Sequence, residues 1–138
     1  MKRQALLAAA AEVRKHAHAP FSGFLVGAAV QTADGTVFTG CNVEISSYSH
    51  TCCAERVAVF KAVSEGHSVL VACAVVTDTV PPATPCGACR QVLHDFGPDM
   101  TVLMANTDGD VREFNLRQLL PEGFTAQQVI DHIRRHHR

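Results

Sequence analysis

A chain of 138 residues has the length of one domain. With 47% hydrophobic and 18% charged residues it has the composition of a packed core, which excludes a disordered or fibrous protein. Lys and Arg total 12 against 13 Asp and Glu, a net charge of -1, so no global field draws the chain to nucleic acid.

Residues 2–18 carry Leu6, Leu7, Ala10, Val13 and Ala17 near a helical period, with Pro20 as the expected stop. Their basic start and apolar stretch have the look of an export signal, but Glu12, Arg14 and Lys15 interrupt it, and an amphipathic helix is the better reading. The chain is therefore expected in the cytoplasm with its thiols reduced. Residues 24–32 and 36–43 read as strands around Ala33-Asp34-Gly35, since D-G between apolar runs is a hairpin signal. A helix should open near Thr51 as its N-cap and close at Gly66.

Residues 69–77 are almost all apolar, as in a central strand covered on both faces. A loop holding Pro81, Pro82 and Pro85 leads to a helix from Gly87 to Phe96. Strands follow at 101–106 and 111–114 around the Asp108-Gly109 turn, and residues 125–136 form a closing helix. No apolar run approaches the roughly 20 residues that span a bilayer. No linker or repeat divides the chain, so residues 1–138 are expected to form a single domain. The order of elements predicts an α/β fold, a three-layer α/β/α sandwich around a mixed five-stranded sheet.

Two motifs carry chemistry. One is Cys53-Ala54-Glu55; the other is Pro85-Cys86-Gly87-Ala88-Cys89. Both lie where a loop becomes a helix, so free N–H groups and the positive dipole end favour thiolates there. Cys86 and Cys89 project to one side of the first helical turn and can share a metal. Three protein ligands leave the fourth tetrahedral position open, as in catalytic zinc sites, and Glu55 stands close enough to move protons without being a ligand. A ligand-x-Glu followed by P-C-x-x-C is the signature of zinc deaminases. One zinc ion per chain is expected.

The chain also resembles the small homotetrameric cytidine deaminases, from about Ala19 to Phe124. Ala19 to Ala29 is similar to that family's A-P-[YF]-S-x-F-x-V-G-A-A, Asn42-Val43-Glu44 to its N-V-E, Cys53 to Arg56 to its C-A-E-R, and Pro85 to Val92 to its second zinc motif. The resemblance implies zinc on Cys53, Cys86 and Cys89, with Glu55 as the proton shuttle. It implies Phe24 stacked on the pyrimidine, Asn42 and Glu44 on the ribose 3′-hydroxyl, and Tyr48 and Ala54 as further substrate contacts. Arg56 would offset the thiolate charge, and Phe124 would enter a neighbouring subunit's site in a tetramer with shared active sites. The expected reaction is hydrolytic deamination of cytidine or deoxycytidine, a step of pyrimidine salvage. After N-V-E the family usually reads Asn-Ala-Ser-Tyr-Gly, where this chain has Ile45-Ser46-Ser47-Tyr48-Ser49.

Rival readings explain less. A deaminase of another aminopyrimidine nucleoside, such as blasticidin S, lacks the F-x-V-G-A-A and N-V-E segments. A non-catalytic zinc-stapled module does not need Glu55 beside an open metal position. A thioredoxin-type pair at Cys86 and Cys89 leaves C-A-E-R unused. Cys41 and Cys73 read as core residues, Cys52 as a non-ligand, His50 as a surface histidine, and Arg134 to Arg138 as a solvated basic helix end.

Overall fold

The computed structural model describes residues 2–137; Met1, and Arg138 at the end of the basic tail, lie outside the described residues. Helix α1 (Arg3–Arg14) precedes a hairpin of β1 (Gly27–Thr32) and β2 (Val37–Cys41). Then come α2 (Ala54–Ser64), β3 (Leu70–Thr77), α3 (Gly87–Phe96), β4 (Thr101–Asn106) and β5 (Val111–Asn115). A single turn, α4 (Leu116–Leu119), and α5 (Ala126–His136) finish the chain. The strands form one sheet in the order β2-β1-β3-β4-β5. Only β3 and β4 run parallel, as the intervening helix α3 requires; the other neighbours are antiparallel.

Alternation along the strands creates two cores. Ala29, Ala72, Ala74, Val76, Leu103 and Ala105 face α1, which answers with Leu6 and Ala10. The opposite face presents Ala28, Val30, Cys73, Val75, Val102 and Met104 to Ala54, Ala58, Val59 and Ala62 of α2 and Leu93 of α3. A period of two in the strands and of 3.6 in the helices thus produces the three layers expected from the sequence. At Gly40 in β2 an added Cβ would come 2.5 Å from the Ala58 nitrogen and 2.6 Å from the Ala54 oxygen. The glycine lets the first turns of α2 lie directly on the sheet. Helix α5 packs differently: it buries no residue, and Val129, Ile130 and Ile133 stay exposed.

Several boundaries differ from the sequence reading. Helix α1 ends at Arg14, well before Pro20, because the chain turns out to pair His18 with residues 42–44. The His18 amide donates to the Asn42 carbonyl (2.9 Å) and the Glu44 amide to the His18 carbonyl (2.8 Å). The expected N-cap at Thr51 moves to Cys53, since Cys52 and Val43 exchange two backbone hydrogen bonds of 3.0 Å that hold 51–52 extended. Strand β1 starts at Gly27, three residues late, because the Asn42 side chain takes the Val26 amide and the Phe24 carbonyl, leaving one backbone bond there, from the Asn42 amide to the Val26 carbonyl (3.3 Å). Among the described residues no helix is long and apolar enough to cross a membrane.

Candidate active site

Cys53 caps the N-terminus of α2 and Cys86 that of α3, while Cys89 sits one turn into α3, fully buried. The two helix starts converge beside the C-terminal half of β3. There the three Sγ atoms lie within 4.8 Å of one another, with those of Cys53 and Cys86 3.8 Å apart. Zn–S bonds of about 2.3 Å in a tetrahedron put sulfurs roughly 3.8 Å apart, the separation of Cys53 and Cys86, so three thiols clustered this closely suit zinc. Arg56 donates through Nη2 to the Cys53 sulfur at 3.3 Å, and its buried Nε has no partner among the described residues. A bond shared with Cys89, then burial opposed by the Arg56 contact, sets the Cys53 thiol; the net effect is a pKa lowered to about 5. Its partner Cys89 moves the other way, raised by the same bond and by burial.

Glu55 is only 4% exposed. Burial pushes its carboxyl up to about 7, and the neighbouring Cys53 thiolate adds to the rise. A carboxyl held near neutrality can both accept and return a proton at physiological pH. It lies in the wall of a cavity of about 190 Å³ that is also lined by Phe24, Val26, Asn42, Thr51, Cys53, Ala54, Val75, Thr77, Ala83, Thr84 and Cys86.

Asn42 is buried, and its side chain serves the backbone opposite. Oδ1 accepts from the Val26 amide (2.9 Å) and Nδ2 donates to the Phe24 carbonyl (2.7 Å), which among the described residues leaves one N–H and one lone pair free. Glu44 lies farther out, in a neighbouring cavity of about 380 Å³ with Phe21, Ser22, Tyr48 and Thr51. Its carboxylate accepts from the Phe21 amide (2.9 Å), the Ser22 amide (3.1 Å) and the Ser22 hydroxyl. The Ser22 hydroxyl holds the Glu44 pKa below the usual carboxylate range. Tyr48 is 72% exposed and packs on Phe21 with ring centroids 5.4 Å apart. Thr51 belongs to both cavities and joins them.

Of the residues singled out from sequence, Phe24, Asn42, Cys53, Ala54, Glu55 and Cys86 share the inner cavity, with Cys89 and Arg56 behind it. Glu44 and Tyr48 occupy the outer one. Phe124 is in neither: it lies beyond α3 and is 59% exposed. Sequence reasoning missed Thr51, Thr77, Ala83 and Thr84. Ala83 and Thr84 could have been found from their place just before Pro85-Cys86; Thr51 and Thr77 carry no local signal. Cys73 is buried and Cys41 half-buried in their strands, while Cys52 is half-buried outside the thiol cluster and His50 is exposed.

Comparison with known proteins adds identity to this geometry. The family model for the cytidine and deoxycytidylate deaminase zinc-binding region matches residues 1–105. The cytidine deaminase of Halalkalibacterium halodurans is 48% identical over 132 residues, covering 95% of this chain and 100% of the relative. That of Sporosarcina psychrophila is 46% identical over 130 residues, 94% of this chain and 96% of the relative. The crystal structure of cytidine deaminase from Burkholderia pseudomallei superposes with a TM-score of 0.87 at 48% identity, over 90% of this chain and 100% of that one. A likeness this complete, centred on the thiol cluster at the two helix starts, means that the chain belongs to the zinc-binding cytidine and deoxycytidylate deaminase family.

Proposed function

We propose that this protein is a cytidine deaminase that converts cytidine or deoxycytidine and water into uridine or deoxyuridine and ammonia. The observation that carries the proposal is the buried Glu55 carboxyl beside three convergent cysteine sulfurs in a cavity walled by Phe24 and Asn42. Cys53, Cys86 and Cys89 hold one zinc ion, which supplies the Lewis acidity that makes water a competent nucleophile near neutral pH. Glu55 takes one proton from the water that attacks C4 and delivers it to N3; it then takes the remaining hydroxyl proton of the C4 adduct and passes it to the amine, so that the 4-oxo group forms as the C–N bond breaks and ammonia leaves. Phe24 stacks on the pyrimidine, worth roughly 1–3 kcal/mol for a base on an aromatic ring. Ala54 lines the base pocket, while Asn42, Glu44 and Tyr48 serve the sugar. Arg56 and the N-termini of α2 and α3 offset the negative charge of three thiolates.

Among the described residues neither cavity is lined by Lys, Arg or His, and Glu44 contributes a carboxylate to the outer one. A 5′-phosphate would meet that carboxylate with no cation to offset it, which favours the free nucleoside and a role in salvage. The whole chain works as one domain, in the cytoplasm where its six thiols stay reduced. It assembles as a D₂ homotetramer in which Phe124 of one subunit closes the pocket of another. Exposed Phe60 and Val63 on α2, the α5 stripe and Phe124 itself support burial between subunits. The decisive assay follows the ultraviolet loss of the cytosine band on adding cytidine, with cytosine, CMP and blasticidin S as comparators. Cytidine and deoxycytidine should be consumed and the comparators spared; turnover of CMP or blasticidin S in preference to cytidine would overturn the assignment.

A further inference from the structure

Phe124 combines two features that rarely coincide. The residue is 59% exposed, yet both of its backbone hydrogen-bonding groups are fixed by one side chain. Gln91 donates through Nε2 to the Phe124 carbonyl (2.7 Å) and accepts through Oε1 from the Phe124 amide (3.2 Å). An exposed aromatic at a loop would ordinarily be left free, because ordering it costs conformational entropy without burial in return.

The neighbouring residue ties the other end of the same segment. Arg90 donates through Nη1 to the Leu119 carbonyl (2.9 Å). With Nε and Nη2 it also holds the Pro85 carbonyl (2.8 Å) and the Thr84 hydroxyl (2.9 Å), the two residues before Cys86. A planar guanidinium is suited to spanning three acceptors in fixed directions, which an ammonium cannot reproduce. One turn farther along α3, the ring of His94 lies against Gly123, where an added Cβ would come within 2.6 Å of it. Arg90, Gln91 and His94 fall on one side of the helix that begins at Cys86, so a single rigid element carries two metal ligands and grips residues 119–124.

We propose that Arg90 and Gln91 are positioning residues that couple the metal loop of a chain to the display of that chain's Phe124. Ordering of Cys86 and Cys89 by zinc fixes Thr84, Pro85 and the first turns of α3, and through Arg90 and Gln91 it fixes the 119–124 segment. The coupling itself is intramolecular. Its consequence for turnover rests on the reading that Phe124 completes a neighbouring subunit's pocket: zinc in one subunit then prepares the site of the next.

Amide hydrogen exchange on the full-length zinc-loaded protein tests this, with the amides of β1 as internal reference. Stripping zinc with a chelator should speed exchange at the Phe124 amide by about tenfold relative to β1, the loss of one ordinary hydrogen bond. Gln91→Leu should produce the same rise with zinc still stoichiometric. It should also raise KM for cytidine about tenfold with kcat nearly unchanged, a split that a general loss of structure would not give. Arg90→Lys, which keeps the charge and loses the fork, should shift Phe124 exchange in the same direction. Phe124 exchange that stays at its loaded rate after stripping, or that rises no more than β1 exchange, would overturn the coupling to zinc. Phe124 exchange at the wild-type rate in both variants would overturn the coupling. A Phe124→Ala variant with unchanged KM, alongside coupled exchange, would instead overturn the shared-pocket reading and leave the coupling standing.

Discussion

Asn42 holds Phe24 by the backbone: its side-chain amide donates to the Phe24 carbonyl at 2.7 Å and accepts from the Val26 amide at 2.9 Å. The aromatic wall of the cavity is thus aimed by a second residue that lines the same cavity. Asn42→Ala strands both backbone groups, a cost of about 1–3 kcal/mol for each unsatisfied partner. Thermal unfolding should show that loss, and KM for cytidine should rise more than tenfold while zinc content stays at one per chain. Unaltered KM in a destabilised variant would separate Asn42 from substrate binding.

Removing a single sulfur should empty the metal site. Cys86 is exposed, so Cys86→Ala leaves no core cavity, yet it leaves two ligands of three. Metal analysis should find about one zinc in the wild type and far less in the variant, with activity lost in parallel. Stoichiometric zinc in a chain lacking Cys53, Cys86 and Cys89 together would refute the ligand set.

Glu55→Gln preserves shape and removes the titrating group. Turnover should fall by about 10²–10⁴, the usual contribution of a positioned acid–base residue, with zinc retained. Near-normal turnover would assign the proton transfers elsewhere.

Glu44 should make KM sensitive to acid. The Ser22 hydroxyl, with help from the Phe21 and Ser22 amides, depresses its pKa, so the carboxylate survives as pH falls through the ordinary range near 4.3. A group with a depressed pKa loses its charge-dependent contribution only when pH drops to that lowered value. Ser22→Ala should move the acid rise in KM to higher pH, toward the ordinary value. An unshifted profile would show that the hydroxyl does not govern Glu44.

Subunit sharing has a direct test by complementation. A Glu55→Gln chain and a Phe124→Ala chain should each be weak alone, the first in turnover and the second in KM. Co-assembled, some sites would take Glu55 from one chain and Phe124 from the other, and part of the activity should return. Mixed assemblies without any recovery, or a fully active monomer by light scattering, would remove Phe124 from the site.

Much of the fold was legible beforehand because it is written in local periodicity. Apolar runs at 24–32, 69–77 and 101–106 with D-G turns mark strands, and the helical spacing of Leu6 and Ala10 marks α1; the face each strand residue takes was decided by the structure. The boundaries were less legible where distant strands intervene. Nothing near Thr51 announces that Cys52 will pair with Val43, yet that bridge is what makes Cys53 the cap of α2.

The parts of the metal centre were readable for the same reason: Cys86 and Cys89 are one turn apart and Glu55 is two residues beyond Cys53, while the two motifs taken together gave the signature that joins Cys53 to the pair. Local chemistry, in other words, determined the element types and those spacings; the convergence of the α2 and α3 starts that brings the three sulfurs together is tertiary. Only the tertiary structure decided that Asn42 spends its amide on Phe24 and Val26, that Glu44 and Tyr48 stand in an outer cavity, and that Arg90 and Gln91 reach across to Leu119 and Phe124. Those bonds join residues far apart in the chain. Their partners are chosen by how the sheet and helices close in space, and no periodicity in the sequence records that choice.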